Sequence, residues 1–574
     1  MNHAEEVCLS GTSLTVDQVS KIAHGALVKL DPDALLAVQI ARATVQEAVQ
    51  QREVIYGITT GFGSNSDIIL QNREGAESLQ ENLLLTHAVC VGDPLSPLIV
   101  RGMIAIRINT LLRGHSGLRP IILERLAEFL NHNILPIIPE KGSVGASGDL
   151  APLSHMALPL IGQGEVLVEG QRINAREGLA HLPSLKDIPL DQRPLRLTHK
   201  EGLALINGTT LMAAIAALSS VRMKYLLDLA DISVSMTAEA CCGRSDAFRE
   251  DVHALRPHPG QQQSARNIRT LLDGSQLINL PFDMISRRDG SWSLEISGGG
   301  EVCFRGGKAP RPQDSYSIRC APQVHGACRD ALSQLDRVLE IELNSVTDNP
   351  IIFPELSGEA RFASAGHFHG MPIALALSYL KVSIPSLASI SERRTNKLLD
   401  AATSDGLPPF LSRNADGSQS GYMIIQYTAA ALVNDLASRA HPTTVFSIPT
   451  SANMEDHVSM GANEARHVYE MLDDLERVLA IELMTAAQAI DIRTLILDAK
   501  FWPKPENEDP KISLHRHLIA QHRLRPAPRI QAVHAYVRAQ IDFLAQDRSL
   551  SSDIQKICEV VREEPQTIIS AAGI

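Results

Sequence analysis

Cysteine occurs eight times in this chain but never as Cys-x-x-Cys, and Cys8, Cys90, Cys241, Cys242, Cys303, Cys320, Cys328 and Cys558 follow no regular spacing. That scatter suggests neither a zinc site nor a disulfide framework, so a reducing, cytoplasmic setting is expected. Positive charge is in deficit: 53 Lys and Arg stand against 65 Asp and Glu, a formal net charge of −12. The imbalance argues against a nucleic-acid or anionic-membrane surface and for a small ligand. No uninterrupted apolar run approaches the roughly 20 residues that cross a bilayer. Residues 1–11, MNHAEEVCLSG, lack a basic region followed by an apolar one, so neither export nor membrane insertion is expected. Aromatic residues are scarce, at 4%. Tandem repeats and low-complexity tracts are absent.

What is present is helix. At 574 residues, 44% of them hydrophobic and 21% charged, the chain can bury a large interior and has length for roughly three or four domain-sized units. Thr15, with Gln18 three residues on, is a capping box opening a helical, polar-faced stretch over 15–51. Residues 54–67, VIYGITTGFGSNSD, read as an ordered loop, and helical period returns at 79–89 and 97–112. GEVLVEGQRIN (164–174) alternates about a glycine and predicts a short β-ribbon; little else reads as strand.

Beyond Asn207, apolar-periodic segments at 209–240, 323–345, 371–399, 420–439 and 456–491 predict long, closely packed helices. The expected fold class is mainly α: a long-helix bundle with a loop-rich N-terminal region and small β-ribbon elements. Three consecutive parts are expected, 1–206, 207–500 and 501–574. The Gly-, Arg- and Ser-rich stretch 279–312 reads as an exposed excursion, and a helical appendage follows the linker PKPENEDPK.

KGSVGASGDLAPL (141–153) is the most informative segment. As a phosphate cradle it fails, because no Gly-Lys-Ser/Thr follows and Gly142, Gly145 and Gly148 are not spaced as a dinucleotide fingerprint. Ser147 lacks the G-x-S-x-G frame of a nucleophile elbow. Ala146, Ser147 and Gly148 are all small, so the Gly148 nitrogen can approach the Ala146 carbonyl carbon unobstructed by a Cβ. Ring closure and loss of water there would leave a methylidene-imidazolone, an electrophile made from backbone. Asp149 and the apolar residues after it would open a helix whose positive end favours negative charge on that ring.

In this context GSVGASGDLAPLSHMA resembles the signature of the histidine and aromatic amino acid ammonia-lyase family, a resemblance extending from about residue 14 to residue 493. It implies that Ala146, Ser147 and Gly148 mature autocatalytically into 4-methylidene-imidazol-5-one (MIO), with no dissociable cofactor. YGITTGFG resembles the loop carrying a catalytic tyrosine, here Tyr56, and EGLALINGTT carries Asn207, implied to hydrogen-bond near the prosthetic group. QDSYSIRCAPQVHG carries Gln313, Tyr316 and Arg319; the last two are implied to hold the reaction centre and the substrate carboxylate, for which a bidentate guanidinium is suited. TDNPII and LPPFL recur, Phe368 is implied to line the ring pocket, and TSANMEDHVSMG carries Glu455.

Taken singly, these residues have plainer readings. Tyr56 would be a packing residue, His87 a core histidine, Arg319 a helix-end ion pair and Glu455 a carboxylate at a helix start. His367 and His369 in His-Phe-His, without a carboxylate frame, are a weak metal signal, and no metal is expected.

Elimination of ammonia from an α-amino acid has a poor leaving group and a β-proton that is scarcely acidic. An electrophile would relieve the first difficulty, and a Tyr56 phenolate acting as general base the second, with an alkaline optimum. His87 and Glu455 resemble the pair that faces the substrate in histidine-specific members, which points to L-histidine, released as urocanate and ammonia. Two departures weaken that choice: His367 stands where Asn is usual, and Thr59 where Asn is common. Tyrosine is the runner-up, since a tyrosine lyase also places His at the position of His87; phenylalanine and a 2,3-aminomutase remain open. A helical scaffold without chemistry is the alternative of another class. The resemblance also implies a homotetramer whose sites draw loops from three chains.

Overall fold

The structure, a computed structural model, describes residues 5–61, 73–280, 286–288, 291–293, 313–413, 417–498 and 523–574. Most of the 279–312 excursion, Cys303 and the PKPENEDPK linker lie outside the described residues.

Helix ends are written locally. Ahead of Val16–Ala23, the Gln18 amide donates to Thr15 Oγ1 at 3.2 Å and the Thr15 amide to Gln18 Oε1 at 3.0 Å, the expected capping box. Asp31 and Ser96 cap Pro32–Gln50 and Pro97–Leu111, each with proline in the first turn. The helical reading of 15–51 needs correction between them: Gly25, at φ +111°, lies past the end of the first helix, and Leu27–Leu30 pairs in parallel with Glu6–Leu9. Four residues carry too little alternation to register as a strand.

The expected ribbon forms from Glu165–Val168 and Gln171–Asn174, antiparallel, with Val168 opposite Gln171. Its turn residues Glu169 and Gly170 lie at φ +50° and +77°, the left-handed pair a two-residue hairpin turn prefers. Leu135–Pro136 adds a third strand that the sequence pattern does not reveal.

The fold is mainly α, as expected: beyond Asn207, Thr210–Ala240, Ala321–Glu342, Met371–Leu399, Ile425–Arg439 and Gly461–Leu497 form where long helices were expected. The chain divides into two compact units. The first takes Met1–Val221, Ser333–Tyr379 and Pro442–Tyr469; the second takes Arg222–Leu332, Leu380–His441 and Glu470–Ile574. Both are discontinuous in sequence because four of the five boundaries fall inside long helices.

Thr210–Ala240 and Met371–Leu399 are long and apolar enough to cross a membrane, with peak mean hydropathies of 1.3 and 1.6. This qualifies the expectation that no apolar run approaches a span. In those stretches 78% and 56% of the residues are buried in the protein, so core packing accounts for most of the apolar composition of the first and part of that of the second.

In the second unit the core encloses charge. Arg394 and Glu482, both fully buried, pair through Nε at 2.5 Å and Nη2 at 2.7 Å, while Thr237 and Ser391 donate to the same carboxylate at 2.9 and 2.7 Å. A buried ion pair is tolerable only when its remaining lone pairs are satisfied in this way.

Candidate active site

The small-residue loop is pinned from several directions, all within the first unit. The Met460 amide donates to the Val144 carbonyl at 2.8 Å, and the Gly145 carbonyl accepts from Ser459 Oγ at 2.8 Å and the Gly370 amide at 3.1 Å. Ser147 and Gly148 lie at φ +53° and +73°. A left-handed serine is disfavoured, and at Gly148 a Cβ would collide with the backbone of Gly208. The Asp149 amide donates to the Gly208 carbonyl at 2.8 Å, locking the loop beside the turn that follows Asn207.

Asp149 stands at the head of Leu150–Ala157, but its carboxylate does not cap that helix. It accepts from Ser143 Oγ at 2.7 Å and from the Met212 amide at 3.1 Å. Complete burial pushes it up to about 6, against the pull of these donors.

Ala146 and Ser147 open into a cavity of about 700 Å³ that is also lined by Tyr56, Asn207, Asn349, Phe368, His369, Glu455 and His457. Ser147 Oγ donates to Glu455 Oε1 at 2.7 Å, and Thr450 Oγ1 to Glu455 Oε2 at 2.6 Å. Glu455 does not begin a helix; it pairs with Thr450 through both backbone amides, six residues before Gly461–Leu497 starts. Asn207 Nδ2 donates to the Asn349 carbonyl at 3.3 Å, leaving its buried Oδ1 without a hydrogen-bond partner among the described residues. That oxygen is suited to a donor on a ligand, such as an ammonium.

His87 ends the helix Arg73–His87 and is half-buried. Burial lowers its pKa from the ordinary imidazole value, while the charge of Glu455 pulls the other way, so the two groups feel one another. Among the described residues no group of His, Cys, Asp and Glu has a metal-binding arrangement; His369 instead donates Nε2 to the His457 carbonyl at 3.1 Å.

The cavity thus gathers Tyr56, Ala146, Ser147, Asn207, Phe368 and Glu455 from segments far apart in the chain. Gln313, Tyr316 and Arg319 belong to the second unit and are not among the cavity's lining residues. Tyr316 is 70% exposed there, with the Arg319 guanidinium 4.5 Å from its ring centroid. Asn349, Thr450 and His457 line or support the cavity without having been singled out by sequence, although TDNPII contains the first and the Glu455 segment the other two.

The sequence model of the aromatic amino acid lyase family matches residues 14–511. A histidine ammonia-lyase of Symbiobacterium thermophilum is 44% identical over 552 residues, covering 96% of each chain. The crystal structure of histidine ammonia-lyase from Trypanosoma cruzi superposes with a TM-score of 0.80 at 34% identity, covering 98% of this chain and 95% of that one. Tyrosine aminomutase from Streptomyces globisporus gives 0.83 at 33% identity, covering 98% of both.

Proposed function

Because the chain belongs to the aromatic amino acid lyase family, we propose that it is a carbon–nitrogen lyase that eliminates ammonia from L-histidine to give trans-urocanate. The observation that carries this is the opening of the Ala146-Ser147-Gly148 loop into the same cavity as Tyr56, Asn207 and Glu455. Full-length similarity to histidine ammonia-lyases supports the substrate.

The loop residues fit an internally formed MIO: three small side chains, two left-handed backbone positions and a glycine contact that leaves no room for a Cβ. Formed there, the group supplies an electrophile toward the substrate amine and so improves the leaving group. Tyr56, which lines the cavity, is as its phenolate the base that takes the β-proton. Asn207 Oδ1 accepts from the substrate ammonium. Glu455, steadied by Thr450 and coupled in charge to His87, receives the imidazole, and Phe368 covers its ring. A phenyl side chain would desolvate that carboxylate and offer it no donor in return, which disfavours it.

Gln313, Tyr316 and Arg319 are proposed to act in an assembled homotetramer whose pockets take loops from three chains. Leu375, Tyr379, Val445, Phe446 and Ile448 are large, apolar and 49–64% exposed in the isolated chain, as an oligomer contact would require. A cytoplasmic setting suits the seven described cysteines, which are all free.

A panel of L-histidine, L-tyrosine and L-phenylalanine, assayed for both ammonia and β-amino acid, tests the reading. Urocanate and ammonia from histidine alone are expected. Turnover of tyrosine with histidine inert would overturn the substrate, and accumulation of β-amino acid would replace the lyase with an aminomutase.

A further inference from the structure

Beneath the cavity lies a charged pair that the proposed chemistry leaves unused. Lys200 and Asp348 are both fully buried, and Lys200 Nζ donates to Asp348 Oδ2 at 2.7 Å. Lys200 holds φ +74°, a left-handed conformation disfavoured for a residue with a Cβ. It is the N-cap of the short helix Glu201–Ile206, and Asn207 is that helix's C-cap. Both ends of the helix therefore carry a polar side chain, and both reach one acceptor: Lys200 Nζ donates to the Asn349 carbonyl at 3.4 Å and Asn207 Nδ2 to the same oxygen at 3.3 Å.

Asn349 is fixed in turn. Its amide donates to Asp348 Oδ1 at 2.6 Å, and its Oδ1 accepts from the Ala365 amide at 2.7 Å in the cavity wall. Arg107, also fully buried, donates through Nη2 to the Ala204 carbonyl of the same helix and feels the charge of Asp348. One carboxylate thus stands among two buried cations and the peptide that orients Asn207.

We propose that Lys200, through its ion pair with Asp348 and its bond to the Asn349 carbonyl, is a positioning residue that fixes the Asn207 amide with Nδ2 on that carbonyl and Oδ1 left as an unused acceptor beside the cavity. An amide is nearly symmetric in shape, and what selects its orientation is the partner it is given. The Asn349 carbonyl can only accept, so Nδ2 must face it. Lys200 holds that carbonyl in place from the far end of the helix. Without the ammonium, the Asn349–Pro350 peptide loses one of the two donors on its carbonyl, and the reference that orients Asn207 is loosened.

The inference rests on the ammonia-lyase reading, since the pose of Asn207 matters only if its cavity is the site. It is tested with Lys200→Met, which removes the charge at similar length, and Lys200→Gln, which keeps a donor, each made with Asn207 intact and with Asn207→Ala. The mass deficit of the two waters lost in MIO formation is read first, independently of turnover. Lys200→Met is expected to keep that deficit, to lower kcat at least about tenfold with KM changed less than about threefold, and to be partly rescued by Lys200→Gln. In the Asn207→Ala background the same change should cost less than about twofold, because coupled residues are not additive.

Equal losses in both backgrounds, or unchanged kcat, would overturn the proposal. If Lys200→Met does not fold, the comparison of Lys200→Gln across the two backgrounds decides by the same criterion. A wild-type protein that turns over no aromatic amino acid defeats the functional reading; an active wild type with additive variants defeats only this inference.

Discussion

Ser147 and Glu455 are 308 residues apart in the chain, and their side chains meet through a 2.7 Å hydrogen bond from Oγ to Oε1. The loop proposed to make the electrophile and the carboxylate proposed to receive the substrate are therefore one local arrangement, with Thr450 holding the other carboxylate oxygen at 2.6 Å.

Removing the Ser147 hydroxyl should prevent the loss of water that creates the methylidene group. Ser147→Ala is expected to keep its fold, to lack the near-ultraviolet absorbance that distinguishes the mature protein, and to lose turnover by at least about a thousandfold. A difference spectrum against wild type reads this directly; no difference, with full activity, removes the backbone electrophile from the account.

Tyr56 lines the cavity, and the proposed base role has it act on the substrate and not on the ring's formation. Tyr56→Phe should retain the mass deficit and absorbance while kcat falls about 10²–10⁴-fold, the range for loss of a general base. Undiminished turnover takes the proton-abstracting role away from Tyr56.

Glu455→Gln removes a negative charge that opposes the burial effect on His87. The His87 pKa, followed by NMR titration, should therefore fall further below its wild-type value. In the same variant KM for L-histidine should rise while the mass deficit stays. An unchanged His87 titration would show that the two groups do not share a field.

Glu239 gives a stability test in the second unit. Its carboxylate accepts from the Ala527 amide at 2.8 Å, ahead of the helix Pro528–Gln540, and from Ser275 Oγ at 2.7 Å, yet burial raises it from 4.5 to about 7. Since the folded value is the higher one, the folded state holds its proton more tightly, and that advantage, present below 4.5, is lost as pH rises through 7. Glu239→Gln keeps an acceptor for Ala527 and sheds the charge. It should be more resistant to urea than wild type at pH 8, by up to about 3 kcal/mol, with the gap closing toward pH 5. A gap that widens on acidification would refute the burial argument.

Legibility from sequence varied with the range of the interaction involved. The Thr15–Gln18 cap and the turn at Glu169 and Gly170 depend on neighbours within a few residues, and both formed as expected. The strand Leu27–Leu30 escaped notice because its stability comes from pairing with Glu6–Leu9, which four residues cannot advertise. The role of Asn349 is not legible in the motif TDNPII, because it accepts from Asn207 and Lys200 through a backbone carbonyl, and backbone carbonyls leave no trace in residue identity.

Composition and local order determined that the chain is mainly helical and marked Ala146-Ser147-Gly148 as a run of small residues with little side chain to obstruct the backbone, since both follow from side-chain size and period. Only the tertiary structure decided that Ser147 faces Glu455, that Gly148 rests on Gly208, and that a fully buried Lys200 and Asp348 lie behind Asn207. Those contacts join segments tens to hundreds of residues apart. Whether such segments meet is set by how the helices pack, which no short window of the chain encodes.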